Sequence, residues 1–325
     1  MTLPKIFVTR PIPDAGLELL HSLAEVEIWP QRQPPPYEVL LEKVQSIEGL
    51  LCLLTDRIDA PLITAATALK TISQMAVGYD NIDIAAATAR GIPVGHTPGV
   101  LTDATADLTW ALLMAAARRI VEAQHFVTAG EWQTWEPMLL LGADLAGATL
   151  GIVGLGRIGQ AVARRAQGFG MKILYWSRQR REAELEQSLA AEYVEFEQLL
   201  QESDFVTIHT ALSPETHDLF GDRQFSLMKP SAILINTARG AIVNPNALYQ
   251  ALRAGEIAGA AIDVTEPEPI PLDSPLLRVP NLIVTPHIGS ASWKTRAQMS
   301  RMAAQNLIAG LRGERLPHCV NPEVY

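Results

Sequence analysis

The chain has 325 residues, 48% of them apolar, and a formal net charge of −9 from 26 basic and 35 acidic side chains. That length allows two compact domains with their own cores, and the acidic balance argues against nucleic-acid binding, which needs a basic face. The only cysteines, Cys52 and Cys319, make neither a disulfide framework nor a metal-ligand cluster, so a reducing compartment and no metal are expected.

The N-terminus, Met1-Thr2-Leu3-Pro4-Lys5-Ile6, lacks the long apolar core of a signal peptide. Residues 5–9 read as a strand and 14–23 as a helix, with Asp14 available as its cap. Pro34-Pro35-Pro36 is a short stiff loop. Strand-like runs recur at 49–54, where Cys52 reads as a buried strand residue, and at 71–76; helical segments at 59–69 and 83–89 follow them. This alternation predicts a parallel sheet with helices on its faces.

Residues 104–129 read as one long alanine-rich helix. Its most apolar part, 108–117, is too short to span a bilayer, so a cytoplasmic protein without a membrane partner is expected. The loop at 130–142 carries Trp132, Trp135, Pro137 and Met138. These side chains either pack on a partner subunit, lie over a cleft or tuck onto their own domain. A second series opens at Thr149, with strands predicted at 149–153, 172–176, 205–209, 232–236, 258–264 and 282–285. Helices are predicted at 157–169 and at 245–254, the latter stopped by Gly255. The fold class is α/β, with two doubly wound parallel-sheet domains; the last helix, 293–311, fits either.

Gly154-Leu155-Gly156-Arg157-Ile158-Gly159 ends an apolar strand and opens a helix, the setting in which this glycine pattern cradles a dinucleotide pyrophosphate. The helix start offers free N–H groups to the phosphates. A glycine turn that binds nothing is the competing reading. The next strand ends Trp176-Ser177-Arg178-Gln179-Arg180-Arg181, with Ser177 where NAD enzymes usually place an aspartate for the ribose. Three arginines without that carboxylate suit a 2′-phosphate and favour NADP(H), with NAD(H) as the alternative. Against this, some of the arginines could pair with Glu182, Glu184 and Glu186 at helical spacing.

Arg239, Glu268 and His287 each follow an apolar strand, in loops that can converge at one sheet edge. Arginine grips a carboxylate through two parallel hydrogen bonds. An imidazole can pass a proton to a developing alkoxide, and a neighbouring carboxylate should favour its charged form. Singly, each has a bland reading: a helix cap, a solvated acid, a buried histidine.

With these motifs in place the chain resembles the D-2-hydroxyacid dehydrogenases over nearly its whole length. The resemblance rests on Ala76-Val77-Gly78-Tyr79-Asp80-Asn81-Ile82-Asp83, on the 154–159 turn and on the loops at 236–240, 263–269 and 286–290. It implies a Rossmann cofactor domain at 99–289 inserted in a flavodoxin-like substrate domain formed by 1–98 and 290–325. It further implies a dimerisation arm at 104–142 and closure that excludes water. Arg239 would bind substrate, His287 would be the acid/base and Glu268 its partner. The N–H groups of Val77 and Gly78 would hold the substrate carboxylate, with Leu54 and Trp135 also at the substrate. Cofactor contacts are implied at Thr105, Gly154, Gly156, Arg157, Ile158, Gly159, Ser177, Arg178, Arg181, His209, Thr210, Pro214, Thr216, Thr237, Ala238, Arg239, Asp263, His287 and Gly289. Asp263 would orient the nicotinamide carboxamide.

Within the family the chain is most similar to glyoxylate/hydroxypyruvate reductases, through Leu53-Leu54-Thr55-Asp56, Trp132-x-x-Trp135-x-Pro137 and the 264–269 loop. The expected reaction is NADPH-dependent reduction of those two acids by a homodimer; another D-2-hydroxyacid dehydrogenase, or a phosphite dehydrogenase, is the alternative. Phosphite and formate dehydrogenases fit less well, because Val77 stands where the first has a lysine and Glu268 where the second has a glutamine, and the short length argues against a phosphoglycerate dehydrogenase with a regulatory tail. Corepressor-like dinucleotide sensors share the fold and can keep the triad. Two departures, His96 for a common asparagine and Asp107 for a frequent glutamate, are expected to affect only local packing.

Overall fold

The structure is a computed structural model describing residues 3–325; Met1 and Thr2, where the N-terminal stretch begins, lie outside the described residues. Two compact units are present, one formed by the chain up to Leu101 with Ser290–Tyr325, the other by Thr102–Gly289.

Unit 1 contains β1 (Lys5–Val8), α1 (Asp14–His21), β2 (Glu25–Ile28), α2 (Tyr37–Lys43), β3 (Gly49–Cys52), α3 (Ala60–Ala65), β4 (Thr71–Gln74), α4 (Ile84–Ala89) and β5 (Val94–Gly95). Its five strands run parallel in the order β2-β1-β3-β4-β5, the flavodoxin-like arrangement. Central β3 and β4 are buried along their whole length, as apolar strands covered on both faces must be. Edge strand β2, Glu-Val-Glu-Ile, escapes sequence reading because half of it faces solvent. Asp14 does not cap α1: the cap position falls on Pro13 and Asp14 is already helical. Asp59 and Asp83 do cap α3 and α4 through their side chains.

Unit 2 begins with α5 (Thr102–Ala117) and α6 (Ile120–Thr128). The predicted single helix is broken by Arg119, which takes a left-handed conformation at φ 51°. The unit continues through β6 (Thr149–Val153), α7 (Arg157–Gln167), β7 (Lys172–Trp176), α8 (Ala183–Leu189), β8 (Ala191–Tyr193), α9 (Phe196–Glu202), β9 (Phe205–Ile208), α10 (Asp222–Leu227), β10 (Ile233–Asn236), α11 (Pro245–Ala254), β11 (Gly259–Ile262) and β12 (Leu282–Val284). The strand order is β12-β11-β10-β9-β6-β7-β8, all parallel. The order reverses between β6 and β9, the switch point at which open α/β sheets bind ligands. A core lies on each face: Val153, Val206, Ile208 and Leu234 point to one, Ile152, Phe205, Ile233 and Ile235 to the other. No residue of α6 is buried.

The chain then returns to unit 1 as α12 (Trp293–Leu311), which packs on α1, β3 and β4 and so settles where the last helix belongs. Met299, Ala303, Ala304 and Leu307 join Ile6, Val8, Leu20 and Leu51 in one core. Among the described residues no helix is long and apolar enough to cross a membrane.

Candidate active site

The glycine turn follows β6. Gly154 sits at φ 98°, and a Cβ there would lie 2.8 Å from the His209 carbonyl. A Cβ on Gly159 would meet Gly154 O at 2.2 Å, so only glycine lets the helix pack on its own turn. A Cβ on Gly156 would meet nothing within 4 Å. Its backbone face is open, and Gly156 begins α7 with no side-chain cap. The N–H groups of the first turn, at Arg157, Ile158 and Gly159, therefore suit an anionic ligand. These observations fit the pyrophosphate of a dinucleotide.

The arginine run after β7 divides. Arg180 forks onto Glu186 through two 2.9 Å bonds, and Tyr175 donates to the same carboxylate at 2.6 Å. The Arg180 bonds first, and then the tyrosine, hold the Glu186 carboxyl down at about 2. The pairing reading is correct for Arg180, although its partner is six residues away. Arg181 Nε donates to Leu155 O of the glycine turn at 3.1 Å, and the Glu215 carboxyl is held below its usual value by the Ser213 hydroxyl and, through charge, by Arg178. Ser177 Oγ donates to Gln179 O at 2.6 Å. Ser177, Arg178 and Arg181 thus remain as candidates for a ribose phosphate.

Past β9, His209 has a buried Nε2 with no partner, and burial pushes its imidazole down to about 3, leaving it neutral at physiological pH. Thr210 abuts Gly154, where a Cβ would lie 2.8 Å from its nitrogen. Thr216 Oγ1 donates to Ala211 O at 2.7 Å and accepts from Ser213 N at 2.8 Å, shaping the loop that carries Pro214.

Past β10, buried Asn236 organises the next loop. Its amide donates to Arg239 O at 2.9 Å and accepts from Ala238 N at 3.0 Å. Thr237 meets Thr109 of α5 at 2.9 Å between hydroxyls, and Arg239 donates to Ala238 O at 2.8 Å. Gly240 makes the neighbouring loop accessible: a Cβ there would lie 2.0 Å from Thr265 O.

Glu268 stands in that neighbouring loop, with Oε2 accepting from Thr265 N at 3.3 Å and Oε1 at 2.6 Å from His287 Nδ1. Burial would raise the Glu268 carboxyl, but the His287 bond and charge, Thr265 N–H and Arg239 outweigh it and keep it below its usual value. His287 adopts φ 54°, uncommon for a residue with a side chain. Asp263 holds it there. Its backbone carbonyl accepts His287 N–H at 2.9 Å. Its buried carboxylate accepts from Thr285 Oγ1 at 2.5 Å, Ile288 N at 2.8 Å and Gly289 N at 2.7 Å. Gly289 also faces Thr105, whose Cγ2 would lie 3.5 Å from an added Cβ. The role of Asp263 in building the His287 loop had no local signal in the sequence, because its bonds join residues 22 to 26 positions apart.

In unit 1, Leu54 follows β3, and Val77 and Gly78 follow β4. The N–H groups of Val77 and Gly78 donate to no acceptor among the described residues. Trp135 is 78% exposed and takes no part in the bonds described. Among the described residues no group of three or more His, Cys, Asp or Glu could hold a metal ion.

Comparison with known proteins bears on this geometry. The family described as D-isomer specific 2-hydroxyacid dehydrogenase, NAD binding domain, matches residues 110–289. A glyoxylate reductase of Thermococcus litoralis is 53% identical, the match covering 99% of this chain and 98% of that protein. A protein of Thermus thermophilus has a crystal structure that aligns with a TM-score of 0.92 at 47% identity, over 97% of this chain and 99% of its own. An NADPH-dependent glyoxylate/hydroxypyruvate reductase of Sinorhizobium meliloti, solved with NADP and malonate, aligns with a TM-score of 0.88 at 31% identity, over 100% and 98%.

Proposed function

The chain belongs to the D-isomer specific 2-hydroxyacid dehydrogenase family, NAD(P)-dependent oxidoreductases acting on 2-hydroxy acids, and on that premise we propose that it reduces glyoxylate and hydroxypyruvate, prefers NADPH and uses His287 as its acid/base. A bound nicotinamide supplies the hydride; the protein supplies position and field. Arg239 grips the substrate carboxylate and keeps positive charge beside the carbonyl oxygen, where negative charge develops. The Val77 and Gly78 N–H groups add donors for the carboxylate, and Leu54 and Trp135 shape the substrate's surroundings.

His287 passes its proton to that oxygen. Its Nδ1 donates to ionised Glu268, so Nε2 is the nitrogen left to exchange a proton with substrate. In the oxidative direction neutral Nε2 takes the hydroxyl proton. The observation that carries this reading is the 2.6 Å His287–Glu268 contact, in a loop that Asp263 fastens on both sides of the histidine. The NADPH preference is supported by Ser177 with Arg178 and Arg181, and the substrate class by similarity to glyoxylate reductases. Ile120, Val121, Val127, Trp132, Met138 and Leu141, all exposed, support a homodimer formed through the α5–α6 arm.

An assay of NADPH and NADH oxidation against a panel of 2-keto acids tests the proposal. Glyoxylate and hydroxypyruvate should lead the panel, with the higher kcat/KM for NADPH. Turnover of no 2-keto acid would sink the enzymatic reading, and retained NADPH binding would then favour a dinucleotide sensor. A higher kcat/KM with NADH would overturn the cofactor preference alone.

A further inference from the structure

The loop after β4 has three consecutive carbonyls, each held by a donor from within unit 1. Ala76 O accepts from Thr97 N at 2.8 Å, Val77 O from His96 Nδ1 at 3.0 Å and Gly78 O from Gln74 Nε2 at 3.0 Å. A trans peptide is planar, with its C=O and N–H on opposite sides. Pinning those carbonyls therefore turns the N–H groups of Val77, Gly78 and Tyr79 the other way. None of the three donates to an acceptor among the described residues. Val77 and Gly78 are half-buried and Tyr79 is exposed, so water can reach these donors, and successive N–H groups facing one way form the kind of concavity that takes an anion.

The middle pin differs from the others because its donor is an ionisable ring. A carbonyl only accepts, so Nδ1 of His96 must carry the proton. The ring is well seated. His96 N donates to His318 O at 3.1 Å, Asn306 Nδ2 donates to His96 O at 2.9 Å, and Tyr79 meets the ring edge-on at 5.7 Å between centroids. Gln74 is equally fixed. Its two N–H groups go to Gly78 O and Asn81 Oδ1, and its oxygen accepts from Cys52 Sγ and Asn81 Nδ2. With every polar position filled and the side chain buried, Gln74 has no alternative orientation to adopt.

We infer that His96 is a positioning residue for the substrate carboxylate: by holding Val77 O it aims the Gly78 N–H and strengthens it as a donor. Hydrogen bonding at the carbonyl of a peptide unit polarises the N–H of the same unit. The inference rests on the proposed role of Val77 and Gly78. It also gives the histidine at position 96, expected from the sequence to matter only for packing, a part in substrate binding.

The test compares the full-length protein with His96→Ala and His96→Asn. The readouts are kcat and KM for glyoxylate, calorimetric binding of oxalate in the presence of NADPH, NADPH affinity, and Tm. Loss of one neutral hydrogen bond predicts that His96→Ala raises both KM and the oxalate Kd about five- to tenfold. It should leave NADPH affinity unchanged, lower Tm by only about 2–4 °C and keep kcat within about twofold, because the acid/base and clamp residues are untouched. His96→Asn, whose amide can donate to the same carbonyl, should recover most of the loss. Unchanged KM and oxalate affinity in His96→Ala would overturn the inference. So would a parallel fall in kcat, NADPH affinity and Tm, which is the mark of a merely structural residue. A wild-type protein that binds no oxalate also overturns it. If wild type binds oxalate but turns over no 2-keto acid, the catalytic reading fails while the oxalate comparison still decides the role of His96.

Discussion

In unit 2 the loops after β11 and β12 close on each other. Asp263 accepts Thr285, Ile288 and Gly289, while Glu268 accepts Thr265 and His287, so the side chains proposed for proton transfer are held by the protein's own bonds. The loops after β6 and β7 are built differently. Gly156 exposes bare backbone, the first turn of α7 has no side-chain cap, and Arg178 is drawn only weakly, by charge, to Glu215. One region of the sheet is tied together by its own side chains, and the other leaves backbone donors open. Proton transfer needs its groups within tenths of an ångström, which favours the first design. A cofactor that must come and go suits the second.

The sharpest way to break this contrast is Asp263→Ala. Two backbone N–H groups and a threonine hydroxyl lose their acceptor, and unsatisfied buried donors cost about 1–3 kcal/mol each. Thermal unfolding should show a loss of about 3 kcal/mol, with partial rescue by water. Steady-state kinetics should show kcat down about a hundredfold, the order expected when a catalytic group shifts by about 1 Å. A variant with normal kcat would show that the His287 loop does not need its internal bonds.

A glycine pair sharpens the comparison from the cofactor side. Gly159→Ala forces a Cβ against Gly154 O, and overpacking of this kind costs about 1–3 kcal/mol in an unfolding experiment. Gly156→Ala meets no protein atom, so stability should change by less than about 0.5 kcal/mol while NADPH affinity falls about tenfold. Equal losses of stability in the two variants would mean that the Gly156 face is not kept open for a ligand.

The smallest expected effect is in the pH dependence of stability. The folded-state carboxyl of Glu268 lies below its ordinary 4.5, so its pairing stabilises the fold above that value. The contribution is lost as pH falls through the folded-state value. With about a third of the side chain exposed, solvent screening limits it to less than about 1 kcal/mol. Glu268→Gln should lower Tm slightly at pH 7 and flatten the decline below pH 4.5. An acid limb identical to wild type would show that the His287–Glu268 pair adds nothing to stability.

Apolar strands and glycine turns were legible because they depend on local chemistry. β6 and β7 were predicted to the residue, since their side chains are almost all buried and glycine or serine follows. The Gly255 stop also stands, with φ 69° ending α11. What escaped was non-local or unsignalled. Arg119 breaks the α5–α6 helix with neither glycine nor proline to announce it. β8 is a three-residue edge strand whose pairing with β7 no alternation reveals. Three arginines within four residues looked equivalent until Tyr175, buried in the preceding strand β7, drew Glu186 toward one of them. The pairing of His287 with Glu268 could be expected from their loops, but the part Asp263 plays in setting the backbone of His287 could not.

The return of α12 to unit 1 has a consequence for biosynthesis. Everything in unit 2 has been made by Gly289, so its two cores can close while the rest of the chain is still in the ribosome. The core around Ile6, Val8, Leu20 and Leu51 cannot, because Met299, Ala303, Ala304 and Leu307 supply its missing wall. Gly16 and Gly310 tighten the fit: a Cβ on either would strike Ser300 or Thr71. The first strands to emerge are thus among the last to be covered. Between the two events a nascent chain carries an apolar sheet face without its cover.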